Sequence, residues 1–414
     1  MRRLSICVQA LLFVYIIAVR VDVAKSGFGY MIAGAAAVCA LVIAWGRRGE
    51  RPATSVRLWF SAFLVAFLAA NLLAYGLAPD LPDAGRTNFR TLHIPAVAIA
   101  AAVALGVRDR RAVRRLLIGI LVLFGVWWLG QTLRLPWQAR AFSHGRLVMW
   151  GCPVVLGMEM ALLASLYFTY AAFAERRWKM LAGTAAGALT TGLLVLTGTR
   201  LAIAVLGLII VPGVLLTAPW LETTRRKLAF LGIWFALTLP AVGLYLVVVN
   251  PIRLDGAAVE GRRALLELGA RSIARAPWGR KLIGHGPSRR VFPAVATRYE
   301  LLDDRGEPLG FRPPHAHNTL LQVFIETGAV GVITLVAVWL IALAGVAGRF
   351  RAERGLGRAS MLPAGLLIAL SATIIMSLMD RGFQSNVPGQ LSWLLLGLAV
   401  AVAATRPPRE QIAA

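Results

Sequence analysis

The chain has 414 residues, 58% hydrophobic and 15% charged, with a mean hydropathy of +0.71 and a formal charge of +25. That balance leaves no room for a large soluble domain, and the repeated long apolar runs belong to a polytopic helical membrane protein. The basic residues stand in short clusters between these runs, not in a stripe with interleaved aromatics, so they read as topology signals and exclude a nucleic-acid partner.

Backbone amides in hydrocarbon must be bonded within their own segment, so each run is expected to be a helix. In chain order the expected spans are 4–19, 27–45, 58–78, 92–107, 116–133, 147–173, 178–197, 201–218, 228–249, 329–347, 361–379 and 389–404. The first follows Arg2 and Arg3 and lacks an A-x-A-like cleavage site before the next run, so it counts as a span and not as a removable leader. Cys7, Cys39 and Cys152 lie in or beside apolar runs, without pairing or metal spacing. The expected fold class is therefore an all-α polytopic membrane protein with about twelve transmembrane helices. Residues 1–249 hold nine of them, 250–328 form one large connector, and 329–414 hold the last three and a tail.

Alternate connectors carry unequal basic loads. The N-terminus, 47–57, 108–115, 176–179, 225–227, 349–358 and the tail hold 23 of the 44 Lys and Arg residues, and the short connectors between them hold 9. The positive-inside rule then places both termini in the cytoplasm and 250–328 on the outer side. The remaining 12 basic residues lie in that long connector, which is exempt from the rule. Within it, "EGRRALLELGARSIARAP" at 260–277 spaces Leu265, Leu268 and Ile273 as an amphipathic helix expected to lie on the membrane surface, and "GHGP" at 284–287 is a turn.

The groups expected to face outward include His93, His144, His285, His315, His317 and Asn318, with arginines at 86, 90, 146, 200, 262, 263, 289, 290, 312 and 381. Arg146 and Arg200 each abut an apolar run, where an arginine can simply snorkel. Arg200 is more tightly placed, because only "TGTR" separates 178–197 from 201–218. Arginine binds phosphate on two oxygens, so several at one depth would grip a pyrophosphate; they would equally hold anionic headgroups. In "HAHN", at 315–318, two histidines at i and i+2 without a third ligand are a weak metal signal. The other reading is a cap, with Asn318 or His317 closing the start of the helix that follows. "ELLDD" at 300–304 offers carboxylates to a divalent ion, but adjacent Asp303 and Asp304 diverge on a regular element and read as a solvated turn.

Taken together, "HAHNTLLQVFIETGAVGVITLV", preceded by "EGRRALLELGARSIARAP" and "IGHGP", resembles the signature region of the O-antigen ligase and polymerase superfamily. That signature is an arginine opening a helix, a proline, a Gly-x-Gly turn, then His-x-His-Asn, Leu and Glu-x-Gly before a transmembrane helix. The resemblance covers about 250–347. It departs at Leu266, where the family carries an aromatic, and at "WGRKL", which lengthens the stretch before the turn; either leaves the match open between Arg262 and Arg263. A third family element, an arginine before a span in a small-residue context, matches Arg200.

The resemblance implies a GT-C-like membrane glycosyltransferase; it is expected to invert the anomeric centre and, with arginines on the leaving group, to need no cofactor and no metal. It would move a glycan from undecaprenyl pyrophosphate to a sugar hydroxyl of lipid A-core, at the periplasmic face of a bacterial inner membrane. Polymerases of the superfamily move the same kind of donor onto another lipid-linked glycan. His317 would be the base, histidine being the side chain that exchanges a proton near neutral pH. Arg200 and Arg262 would meet the charge of the leaving group. His315, Asn318, Arg146, Arg263, Arg86, Arg90 and Arg312 would contact substrate. A transporter or lipid-binding protein of twelve spans would keep the arginines and dispense with His317; transporters show interrupted spans in two related halves, against which the single late connector argues.

Overall fold

The computed structural model describes residues 2–20, 27–45, 55–77, 94–107, 109–134, 142–143, 146–147, 153–221, 223–244, 257–287, 291–298, 316–354, 356–380 and 387–405. In chain order the helices are α1 (Arg2–Arg20), α2 (Gly27–Trp45), α3 (Ser55–Gly76), α4 (Ile94–Gly106), α5 (Arg110–Arg134), α6 (Pro153–Ala172), α7 (Arg177–Thr197), α8 (Arg200–Thr217) and α9 (Thr224–Leu244). Next come α10 (Ala257–Arg275), α11 (Trp278–Ile283) and α12 (Val291–Arg298) in the long connector, then α13 (Thr319–Glu353), α14 (Met361–Met379) and α15 (Val387–Ala403). Every stretch expected to span carries a helix. Among the described residues seven helices, α3, α5, α6, α7, α8, α13 and α14, are long and apolar enough to cross a bilayer, and shorter apolar stretches run through α1, α2, α4 and α15. The protein is thus a multi-pass helical membrane protein by helix composition.

Several boundaries differ from expectation, α5 beginning at Arg110 and not at 116, and α13 ending at Glu353 and not at 347. The sixth span was expected from residue 147, but Leu147 belongs to a short antiparallel ladder of β1 (Phe142–Ser143) and β2 (Arg146–Leu147), and α6 begins at Pro153. Proline suits the first helical position because its missing N–H has no partner there in any case. The ninth span starts earlier than expected, with Arg225, Arg226 and Lys227 forming its first turn.

Buried residues occupy most of α6, α14 and α15, whereas α7 and α9 turn large apolar side chains such as Leu181, Ile233 and Leu237 outward. At one end of the bundle the helix ends with basic connectors are tied together. Ser5 and Arg57 donate to Gly106 and Val107 at the end of α4, at 3.4 and 3.3 Å. Arg110 forks onto buried Glu353 and also donates to the Ala359 carbonyl, while Arg349 pairs with the same carboxylate at 2.6 Å and reaches Thr405 at 3.5 Å. Other bonds join the opposite ends, as Tyr15 in the last turns of α1 does with Gln390 in the first turn of α15, at 3.1 Å.

α13 and α14 meet at both of their ends, although α13 has 35 residues and α14 has 19. At 1.5 Å per residue the excess is about 24 Å. Gly328, at φ 65 and ψ −165, absorbs part of it by breaking α13 into a short first leg and a long second one. α10 packs its apolar stripe, expected to face lipid, against protein. Leu265 and Leu268 are buried with Phe292 and Val295 of α12, Ala316, and Ile325 of the first leg.

Candidate functional site

The start of α13 settles which residue caps it. The Asn318 side chain accepts from the Leu321 N–H at 2.9 Å, closing the helix, and its amide donates to the Leu378 carbonyl at 2.6 Å. The Thr319 hydroxyl donates to the Asp380 carbonyl at 3.0 Å. His317 stands just outside the cap at φ 50, a left-handed conformation that costs a β-carbon about 1–2 kcal/mol. Its imidazole Nδ1 lies 3.4 Å from Oδ2 of Asp380, whose side chain is 7% exposed against 31% for the histidine. The histidine therefore does not cap; it presents one nitrogen to a buried carboxylate and keeps part of its ring accessible.

The histidine segment is also held from below. Gln322 accepts from the Ala316 N–H at 3.0 Å and donates to Glu326 at 2.8 Å, both side chains being buried. One turn further down, the Gly-x-Gly turn docks on the break in α13. His285 N–H donates to the Ile325 carbonyl at 2.9 Å and Gly286 N–H to the Glu326 carbonyl at 2.8 Å. The contact requires two glycines. A β-carbon on Gly284 (φ 75) would stand 2.4 Å from the Glu326 carbonyl, and one on Gly328 would stand 2.3 Å from that of Leu282. The two sequence elements "GHG" and "ETG" are thus the two halves of one backbone contact.

Arg200 opens α8 from a tightly pinned turn. α7 ends at Gly198 in the left-handed region (φ 61), its N–H bonded to the Val195 carbonyl. The Thr197 hydroxyl donates to that of Thr199 at 2.9 Å, and the Thr199 hydroxyl donates to the Pro153 carbonyl at 2.9 Å. Gly157 leaves room for this, since a β-carbon there would lie 2.6 Å from the Thr199 side chain. Residues 200–205 pack on α14, the helix whose end carries Asp380 and receives Asn318. One helix end therefore adjoins both the arginine turn and the histidine loop.

The other expected groups fall as follows. Arg146 pairs with Ser143 in the ladder, which packs on α7, so its backbone lies beside a helix and not inside a span. Arg262 is in α10. Arg263, next to it, is exposed and bonded to Glu267 at 2.8 Å, and this bond holds the Glu267 carboxyl below its ordinary range. His315, Arg86, Arg90 and Arg312 lie outside the described residues, as do His93, His144, Arg289, Arg290, Arg381 and the 300–304 acidic stretch. Among the described residues no three His, Cys, Asp or Glu side chains are grouped to hold a metal ion.

Sequence reasoning missed Asp380 and Gln322, and met Glu326 only as part of the Glu-x-Gly element. Each had a signal, as the acid that ends an apolar span and as polar groups one turn apart on the helix after "HAHN". It also missed Glu159, buried in α6 and accepting from the Trp128 indole at 3.0 Å.

Fold and site together define a multi-pass helical membrane protein in which the His317–Asp380 pair and the segment that opens on Arg200 both adjoin α14. Residues 185–336 match the family model for O-antigen ligase. The matched stretch holds Arg200, α10, the Gly-x-Gly turn and His317, and stops short of Asp380. No protein of curated function matches the chain.

Proposed function

We propose that the protein is an O-antigen ligase of the bacterial inner membrane, with twelve crossings, both termini in the cytoplasm and the 250–328 lobe in the periplasm between membrane units 1–249 and 329–414. It transfers a glycan from undecaprenyl pyrophosphate to a sugar hydroxyl of lipid A-core. The observation that carries this reading is the His317 imidazole set on buried Asp380 within a segment tied to the same helix end as the Arg200 turn.

In this mechanism the acceptor hydroxyl gives its proton to Nε2 of His317 while its oxygen bonds to the anomeric carbon of the donor. The bond from that carbon to the phosphate oxygen breaks, and its electron pair leaves with undecaprenyl pyrophosphate. Attack opposite the leaving group inverts the anomeric centre. Asp380, on Nδ1, orients the ring and stabilises the imidazolium as it forms. Arg200 and Arg262 meet the charge growing on the pyrophosphate, which needs no metal when guanidinium groups supply the stabilisation. Asn318 acts mainly as the cap that fixes His317. His315, Arg146, Arg263, Arg86, Arg90 and Arg312 are assigned to substrate contacts around this centre.

Deleting the gene and comparing lipopolysaccharide with the undecaprenyl-linked pool tests the reading. Intact polymer accumulating on the lipid carrier is the expected result. Single repeat units on the carrier would indicate a polymerase of the same superfamily, and an unchanged pattern would exclude both.

A further inference from the structure

α11 is a six-residue helix with a face that no described residue covers. Trp278 is 78% exposed and Leu282, one turn on, is 53% exposed. The Lys281 ammonium lies over the Trp278 ring at 4.9 Å from its centroid, and the guanidinium of Arg280, partly exposed, donates to the Gly284 carbonyl at 3.3 Å. This is not surplus core, because the apolar stripe of the preceding helix is already buried against α12 and α13.

Its depth is fixed by the glycine contact. The Leu282 carbonyl lies directly against Gly328, and two residues beyond Gly328 begins an outward apolar stripe on α13 comprising Val330, Ile333 and Leu340. α11 also touches α3, whose final turns expose Leu72, Leu73 and Leu77. The helix therefore sits where two crossing helices pass from lipid to water. An indole with an aliphatic neighbour and a lysine is the chemistry of that boundary, where the ring enters the headgroup region and the cations reach phosphate.

We propose that α11 is a foot seated on the anionic phospholipid headgroups of the adjoining leaflet, with Trp278 and Leu282 in the interfacial layer and Arg280 and Lys281 on lipid phosphates. Through Gly284 and Gly328 the foot sets the height of the Gly-x-Gly turn, and hence of the first leg of α13, above the bilayer.

The test uses the full chain with Cys7, Cys39 and Cys152 replaced by serine and a nitroxide on Leu282→Cys, in nanodiscs of phosphatidylglycerol and phosphatidylethanolamine. Oxygen should relax the label and a water-soluble nickel chelate should not, as for a label on Ile333→Cys. Exchanging phosphatidylglycerol for phosphatidylcholine should raise nickel access, and Arg280→Gln with Lys281→Gln should remove that response. Nickel relaxation as full as that of free label in water, or shielding given only by added soluble oligosaccharide, would overturn the proposal. The readout is independent of glycan transfer, so its failure and that of the proposed reaction are distinguishable.

Discussion

Nδ1 of His317 faces Oδ2 of Asp380 across 63 positions of sequence, at 3.4 Å. One residue on, Asn318 closes α13 and bonds the Leu378 carbonyl, so the pair is held by the same contact that joins two helix ends. A left-handed backbone at a non-glycine residue persists only where its surroundings impose it, and these bonds do so.

The first prediction concerns that pair. His317→Ala should abolish transfer while the protein still inserts and binds lipid-linked donor. His317→Asn should not restore activity, because the cap is already made by Asn318. Asp380→Asn should lower kcat by on the order of 100- to 10,000-fold with KM little changed, the span that general acid–base catalysis typically contributes. An active His317→Asn enzyme in a transfer assay would remove the histidine from the chemistry.

Arg200 yields a second. Arg200→Ala should lose on the order of 100-fold or more in rate, the loss typical of one transition-state charge contact, and Arg200→Lys should recover only part of it. Rates measured with EDTA and with added Mg²⁺ should agree. An absolute Mg²⁺ requirement would move the charge stabilisation to carboxylates and a metal.

A third tests the glycine contact through stability. Gly328→Ala and Gly284→Ala each add a β-carbon against backbone at a positive φ, so each should lower thermal stability in detergent, by about 1–3 kcal/mol from conformation alone. Gly348→Ala, with open space at its β-carbon, is the control and should be neutral or slightly stabilising. Equal stability of all three variants would mean that the turn and the break do not bear on each other.

What the sequence makes legible follows from the range of each interaction. Apolar runs declare helices because hydrocarbon admits little else, and Gly284 and Gly328 are visible as punctuation, though not as partners. The choice between Asn318 and His317 as cap is invisible in residue type, since both accept hydrogen bonds; the backbone angle at His317 decides it. Asp380 is hidden for a different reason. An acid at the end of a span looks like any polar terminus until the fold brings it to a histidine far away in sequence. The stripe of α10 shows the opposite limit, because Leu265 and Leu268 announce an apolar face without saying whether lipid or protein will cover it.

Orientation gives the fourth prediction. The helix ends tied through Arg57, Arg110 and Glu353 lie beside the basic clusters. Cysteine labelling in intact cells should therefore find 108–115 and 349–358 in the cytoplasm and 250–328 outside. A cytoplasmic 250–328 segment would separate the proposed site from its periplasmic substrates.

The most direct measurement is a reconstituted reaction with the purified protein, undecaprenyl-pyrophosphate-linked glycan and lipid A-core, in EDTA. Glycan should appear on lipid A-core with one undecaprenyl pyrophosphate released per transfer, and His317→Ala should bind the donor without transferring it. Transfer that survives His317→Ala, or product found only on a second lipid-linked glycan, would contradict the account.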